Sequence, residues 1–171
     1  SAEGMVVVEK ALLGAMPAMV AMARAYNAQV QGDLAATVKY AELALQLIPE
    51  DDIFRRAQAT VQLNLIHWAN GDLEAARRTM DDWMNSMQQL GNSVFVVASA
   101  FAVADILIAQ GRLREAARTY QQALQLAHES GPEAQAITAH HHLGLALLYR
   151  EMNHAEGFIR HWQKAEELGR R

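Results

Sequence analysis

The chain has 171 residues, of which 51% are apolar and 20% are charged, and its net charge at pH 7 is −4. This composition supports a continuous apolar core, and it excludes an intrinsically disordered chain and a strongly basic nucleic-acid-binding surface. The absence of cysteine excludes disulfides, thiolate metal sites and thiol nucleophiles.

Alanine and leucine dominate the sequence, and apolar residues recur every three or four positions, which predicts helices throughout. Residues 5–14 are predicted to be the remnant of a preceding helix. Pro17 is predicted to open the first complete helix, because its missing N–H costs nothing at that position. The first helices of successive repeats are predicted at residues 17–31, 53–70, 94–110 and 133–152.

A glycine or an asparagine follows each of these helices at nearly constant spacing. Gly32, Gly71, Gly111 and Asn153 are separated by steps of 39, 40 and 42 residues. Each can adopt the positive φ that ends a helix, and the aspartates that follow the first two glycines can cap the next helix.

Further breaks separate the predicted repeats from one another. Pro49 ends the first repeat, and Asp51 and Asp52 place acids at the start of the next helix, where the helix dipole favours them. Ser93 is the predicted cap after Gly91-Asn92, and Gly131-Pro132 combines a stop with a start.

After the Gly111 turn, small residues lie five and twelve positions further on, and a larger residue at position nine is predicted to fill the space between neighbouring repeats. In the third repeat these are Ala116, Ala123 and Tyr120. The small residues share one helical face and allow two helices to approach closely. We therefore predict an all-α fold, a right-handed solenoid that forms one domain of four helix–turn–helix repeats at residues 17–48, 52–90, 93–130 and 132–169.

This pattern resembles the tetratricopeptide repeat. The resemblance is carried by Gly111, Ala116, Tyr120, Ala123 and Leu124, and by Pro49 seventeen residues after Gly32. Each repeat is several residues longer than the usual period of about 34.

The longer repeats resemble the helical-repeat domain of the MalT-like, LuxR-type bacterial transcription regulators. Four segments carry this second resemblance, which extends over residues 17–168: LIPEDDIFRR at 47–56, GDLEAARR at 71–78, GRLREAARTYQQAL at 111–124 and HLGLALLYREMNHA at 142–155. It implies a fragment of a larger protein, in which a nucleotide-binding switch domain precedes the repeats and a helix-turn-helix domain follows them.

No Gly-Lys pair occurs, so this chain cannot form a phosphate-binding P-loop. We therefore expect no cofactor here, with ATP bound only by the missing nucleotide-binding domain and DNA only by the missing helix-turn-helix. The sequence has no signal-peptide pattern and no apolar stretch long enough to span a bilayer, so we expect a cytoplasmic protein without membrane contact.

Asp105 interrupts the apolar run at residues 101–108, so its carboxylate must be paired, hydrogen-bonded or exposed to a groove. The repeat register places it on the inner, concave face, together with Ile108 and Leu147. The predicted ligand-binding residues on that face are Tyr26, Gln29, Gln62, Trp68, Phe101, Asp105, His140 and Arg150. Such a mixture suits a neutral polar ligand or a peptide, although aromatic residues at these positions also pack between helices.

Other candidate groups favour structural interpretations. His140, His141 and His142 point about 100° apart around a helix, so they cannot bind one metal ion together. We interpret the histidines as structural or solvated, with ligand contact and metal binding as alternatives. Adjacent carboxylates such as Asp81 and Asp82 also diverge, so no catalytic acid–base pair and no enzymatic activity are predicted.

One group of large side chains has two interpretations. We predict that this group packs between repeats. The alternative is an adaptable, polarisable surface for a partner helix. Its members are Met80, Trp83, Met84 and Met87.

The function predicted from the sequence is non-covalent sensing. A small inducer or a regulatory protein would bind the concave face and bias the repeats between two arrangements, which other domains of the same polypeptide would read. The alternative is a stand-alone scaffold that binds a peptide or a partner protein. The apolar ends, Val6–Val8 and Phe158, Ile159 and Trp162, predict an end-to-end homodimer of the isolated chain.

Overall fold

The computed structural model describes residues 10–170, and every element of regular structure in that part of the chain is a helix. The predicted all-α fold is confirmed. Contacts divide the chain after Gly71 into two compact units. The first contains α1 (Lys10–Val30), α2 (Leu34–Leu47) and α3 (Ile53–Ala69); the second contains α4 (Leu73–Gln89), α5 (Ser93–Ala109), α6 (Leu113–Ser130), α7 (Pro132–Ala136), α8 (Ala139–Glu151) and α9 (Ala155–Gly169). Over the same residues, no helix is long and apolar enough to cross a bilayer.

Residues with positive φ end the helices at the predicted turns. The values of φ are +74° at Gly32, +73° at Gly71, +74° at Gly111 and +56° at Asn153. In the first two turns a carboxylate oxygen of the next residue, Asp33 or Asp72, accepts the N–H three residues further on at 2.9 Å. These two turns therefore end one helix and cap the next within a few residues.

The predicted cap of α5 is wrong by one residue. Asn92, not Ser93, occupies the N-cap, and its Oδ1 accepts the N–H of Phe95 at 3.3 Å. Gly91 has a φ of +66°, so the residue directly after the glycine becomes the cap, as in the Gly-Asp turns. His154 caps α9 in a comparable way, since its Nδ1 accepts the N–H of Gly157 at 3.0 Å.

Helix α1 corrects two predictions about the start of the array. It is already helical at Lys10, the first described residue, and continues through Pro17, which therefore does not open it. Residues 10–14 belong to this same helix and not to a preceding one, while residues 5–9 lie outside the described part of the chain. Ala18 and Ala21, which follow the proline, pack in a core with α2 and α3, and this packing offsets a local cost of about 3 kcal/mol.

The helix predicted at 133–152 is in fact two helices, α7 and α8, separated at Ile137 and Thr138. Thr138 donates its hydroxyl proton to the carbonyl oxygen of Gln135 at 2.7 Å, so its side chain bonds to the preceding turn of backbone. The break allows Ala134 of α7 to pack against Val97 and Ala127, which lie on α5 and α6.

Alanine forms much of the buried surface in both units. In the first unit, Ala44 of α2 packs with Ala18 and Ala21 of α1 and with Ala59 of α3. In the second unit, Ala116 is fully buried on α6. Because a methyl group projects so little, helices that meet through alanine can lie close together.

The methionine and tryptophan group lies on α4, and its burial supports packing between helices over a surface for a partner helix. Met80, Trp83 and Met87 are buried, and Met84 is half-buried. Trp83 donates its indole N–H to the Ser99 hydroxyl at 2.6 Å, so the group lies at the contact between α4 and α5.

The predicted apolar ends are only partly described. Val6–Val8 lie outside the described residues. On α9, Ile159 and Trp162 are exposed, and Phe158 is half-buried with its ring centroid 5.7 Å from that of Trp162. The end-to-end homodimer stays a prediction.

Replacing Gly111 with valine is expected to lower the free energy of unfolding by about 1–2 kcal/mol, because a positive φ is costly for a residue with a branched Cβ. Apart from the two adjacent residues, nothing lies within 4 Å of where a Cβ would stand, so the cost is one of backbone conformation. Gly111→Asn is the matched control, since Asn153 already adopts this conformation. Denaturant unfolding measures both changes, and equal losses for the two variants would contradict the assignment.

Candidate ligand-binding cleft

Asp105 lies half-buried on α5, among side chains that are otherwise mostly apolar. Its Oδ1 accepts the hydroxyl proton of Tyr120 on α6 at 3.2 Å. Tyr120 is almost fully buried, and burial raises the pKa of its hydroxyl above the ordinary value, an effect that the negative charge of Asp105 increases. The hydroxyl therefore stays protonated and remains a hydrogen-bond donor to the carboxylate.

Gly144 of α8 allows the Tyr120 ring to occupy this position. A Cβ built on Gly144 would lie 2.6 Å from the Tyr120 hydroxyl oxygen, closer than non-bonded atoms approach. His141 also packs against Tyr120, since the two rings meet edge to face with centroids 5.9 Å apart. Because residue 144 is glycine, the Tyr120 ring of α6 can lie directly against the backbone of α8.

A cleft of about 280 Å³ opens beside this hydrogen bond, between α5, α6 and α8. Its lining is mostly aliphatic, with polar groups from four residues. The lining residues are Asp105, Ile108, Leu113, Tyr120, His140, Leu143, Gly144, Leu147, Leu148 and Glu151. Volume and composition are close to those of small-molecule sites in proteins, which combine apolar walls with a few polar groups.

The structure brings together part of the predicted inner face in the second unit. Asp105 and His140 both line the cleft, as do Ile108 and Leu147. Phe101 lies next to them, with its ring centroid 4.8 Å from that of His140 in an edge-to-face contact. Their role in binding a ligand stays a prediction.

Arg150 is placed differently. Its guanidinium is exposed and donates to the Glu151 carboxylate at 3.1 Å, and it does not line the cleft. Glu151, which the sequence did not single out, lines the cleft instead. The charged side chain at this end of the cleft is therefore the carboxylate of Glu151 and not the guanidinium of Arg150.

The other four predicted residues belong to the first unit. Tyr26 and Trp68 are exposed, Gln29 is half-buried, and all three lack a described hydrogen bond from their side chains. Gln62 donates its amide N–H to the carbonyl oxygen of Met22 at 3.4 Å, so it joins α3 to α1. A ligand-binding role for these four residues also stays a prediction.

A second cleft, of about 440 Å³, lies between α6, α7, α8 and α9. Its polar side chains are largely engaged within the domain: Thr138 with Gln135, Lys164 with Glu167 at 2.8 Å, and His142 with His161. This cleft is larger than the one at Asp105, but it contains none of the residues predicted to bind a ligand.

The histidines of α8 have three different environments, as their spacing predicts. His140 is exposed, and His141 is buried with its Nε2 2.7 Å from the carbonyl oxygen of Val97. His142 Nδ1 lies 2.8 Å from Nδ1 of His161, so one ring donates a proton that the other accepts. Within residues 10–170, no three histidine, aspartate or glutamate side chains are grouped to hold a metal ion.

Helix pairs joined by left-handed turns, with alanine at their contacts, define a protein of the tetratricopeptide-repeat type. The MalT-like TPR region matches residues 18–171, and the chain belongs to this family. The crystal structure of BtubC (BKLC) from P. vanneervenii is similar over 98% of this chain and 67% of that chain, with a TM-score of 0.73 and 15% sequence identity. At that identity the likeness shows the helical-repeat fold alone. No curated protein matches the sequence.

Acidification is expected to destabilise the domain through His142. Burial, together with the nearby His161 and Lys164, lowers the pKa of His142 to about 4. Above the ordinary value near 6.5 the ring is neutral in both states. As the pH falls from there to about 4, the unfolded chain binds a proton that the folded chain resists, so stability is lost.

The measurement is the free energy of unfolding between pH 7 and pH 4. His142→Gln should flatten this dependence by about 1 kcal/mol, after allowance for solvent around a half-buried ring. His128→Gln is the control, since His128 is exposed. An unchanged slope in His142→Gln would contradict the assignment; a slope that is reduced but not abolished is expected, because burial also lowers the pKa of His141 and His161.

Proposed function

We propose that the chain is the non-catalytic, effector-sensing repeat domain of a cytoplasmic bacterial multidomain transcription regulator. A small inducer or a regulatory protein binds it at the cleft between α5, α6 and α8. The observation that carries this proposal is the cleft itself, in which an apolar wall adjoins the hydrogen-bonded pair of Asp105 and Tyr120. Membership of the MalT-like family supports the assignment to a regulator.

The chemistry of the cleft favours binding over catalysis. The Tyr120 hydroxyl is held in its protonated form and is already engaged with Asp105, so it serves as a fixed donor and not as a base. The remaining walls are mostly aliphatic. Such a site recognises shape and one polar group, which is what a sensor requires.

Ligand binding at this position can be transmitted because three helices meet there. A ligand that contacts α5, α6 and α8 together stabilises the arrangement in which these helices are closed around it. The effect on any other domain is then limited by how much more tightly the ligand binds this arrangement than a more open one. No covalent step is needed.

The alternative function is a scaffold that binds a peptide or a partner protein. Its support is the exposure of Phe101, Ile108 and Leu147, each more than a third accessible, along the edge of the cleft. A peptide could place one apolar side chain in the cleft and rest its backbone against this edge.

Blocking the cleft is expected to abolish effector binding. In Leu147→Trp the indole would fill part of the cleft, and the affinity for an effector should fall by about tenfold or more. Leu43→Trp is the matched control, because Leu43 is 37% exposed and Leu147 is 38% exposed, but Leu43 lies on α2 in the other unit.

The measurement is a titration of the chain with a deproteinised extract of low-molecular-mass metabolites, followed by amide NMR. Shifts confined to α5, α6 and α8 that Leu147→Trp removes and Leu43→Trp retains would support sensing. Shifts that appear only with a purified peptide or protein would favour the scaffold, and turnover of any added compound would contradict a non-catalytic role.

The assignment to a regulator also makes a prediction about the gene. The reading frame that encodes this chain should encode a nucleotide-binding domain before the repeats and a helix-turn-helix domain after them. Sequencing the flanking region tests this directly. A reading frame with neither domain would contradict the regulator and leave the scaffold.

A further inference from the structure

We propose that the cleft between α5, α6 and α8 binds a small organic ammonium ion, with its charged nitrogen on the Asp105 carboxylate and its apolar body against the aliphatic wall. This inference rests on the proposed function, because it names the class of ligand that the same cleft would take.

The first argument is the charge of Asp105. Its carboxylate is half-buried at an apolar cleft, where an isolated charge is unfavourable unless a partner compensates it. Among the described residues, no lysine, arginine or histidine forms an ion pair with it. Tyr120 supplies one hydrogen bond, to Oδ1, and neutralises none of the charge.

The second argument is the balance of charge around the cleft. Glu151, the other acid in the lining, is 61% exposed and already paired with Arg150. The side chain of His140 lies against the Phe101 ring. The cleft therefore presents one uncompensated negative charge, which attracts a cation and repels a carboxylate or a phosphate.

The third argument is the composition of the wall. The wall is mostly aliphatic and offers no ligands to an inorganic cation. Its aliphatic residues are Ile108, Leu113, Leu143, Leu147 and Leu148. Within residues 10–170 no three carboxylate or imidazole side chains are grouped to hold a metal ion, so a hydrated metal ion would give up water for too few ligands here. An ammonium ion on an alkyl or aryl group satisfies both surfaces, since the nitrogen binds the carboxylate and the carbon skeleton covers the leucines.

The volume of about 280 Å³ limits the ligand to a compact molecule. The probes are therefore three compounds with the same phenyl group and nearly the same length: 2-phenylethylammonium, 2-phenylethanol and phenylacetate. Amide NMR titrations of the whole chain give the affinity, and shifts at residues 143–148 of α8 locate the binding.

We expect 2-phenylethylammonium to bind at least about tenfold more tightly than 2-phenylethanol, and phenylacetate to bind most weakly. In Asp105→Asn the ratio between the ammonium and the alcohol should fall to near one, because asparagine can still accept the Tyr120 proton but carries no charge. Asp82→Asn is the matched control: it removes the same charge from an exposed position on α4 and should leave the ratio unchanged.

The comparison of the three probes on the unaltered chain does not depend on how well a variant folds. Equal affinities for the ammonium and the alcohol, with shifts at residues 143–148, would overturn the charge inference but leave the cleft as a binding site and the proposed function intact. Retention of the tenfold ratio in Asp105→Asn would also overturn it. If none of the three probes shifts these residues, the ligand class is wrong, whereas the proposed function is decided by the metabolite titration.

Discussion

Close approach of paired helices through residues with little or no side chain is the constraint on which the rest of this structure depends. The core where α2 meets α1 and α3 is built largely from alanines: Ala44 packs with Ala18, Ala21 and Ala59, and larger side chains such as Ile48 complete it. In the second unit the same constraint takes its extreme form at Gly144, where the Tyr120 ring occupies the space that any side chain would need. The large Tyr120 ring can be buried there only because the facing residue of α8 is a glycine, which has no side chain.

This constraint also places the polar group of the cleft. Tyr120 is fixed between α6 and α8, and its hydroxyl reaches Asp105 on α5. The carboxylate is thus held by a donor that cannot move without disturbing the packing of two helices. A polar group fixed in this way loses little further conformational freedom when a ligand binds, which favours recognition by a small site.

The repeats could be predicted from the sequence because their turns are chemically specific. Gly32 adopts a positive φ, which few other residues tolerate, and Asp33 accepts an N–H at the start of α2 that would otherwise lack a partner. The errors arose where local rules have exceptions. Proline is usually a helix start, but the alanines after Pro17 pack in a core with α2 and α3 and keep the segment helical. The break at Thr138 depends on a side-chain hydrogen bond and on packing of α7 that no periodicity shows.

The cleft could be predicted only in part, for a related reason. Asp105 and His140 were found because the repeat register places their side chains on one face, and Asp105 stands out in an apolar run. Tyr120 was identified correctly as a packing residue, but its hydroxyl partner lies fifteen residues away on another helix and follows from the angle between the helices. Gly144 could have been found from its position in a helix without a turn, since a glycine there costs stability unless a neighbouring atom needs the space.

The link between packing and recognition suggests how the cleft can act as a sensor. A cation on Asp105 would draw negative charge away from the oxygen that accepts the Tyr120 proton, and would weaken the hydrogen bond that joins α5 to α6. An apolar body against Leu143 and Leu147 would at the same time strengthen the contact with α8. The ligand would therefore shift stabilising energy from the contact between α5 and α6 to the contact with α8, and a change of this kind can favour one packing of these helices over another.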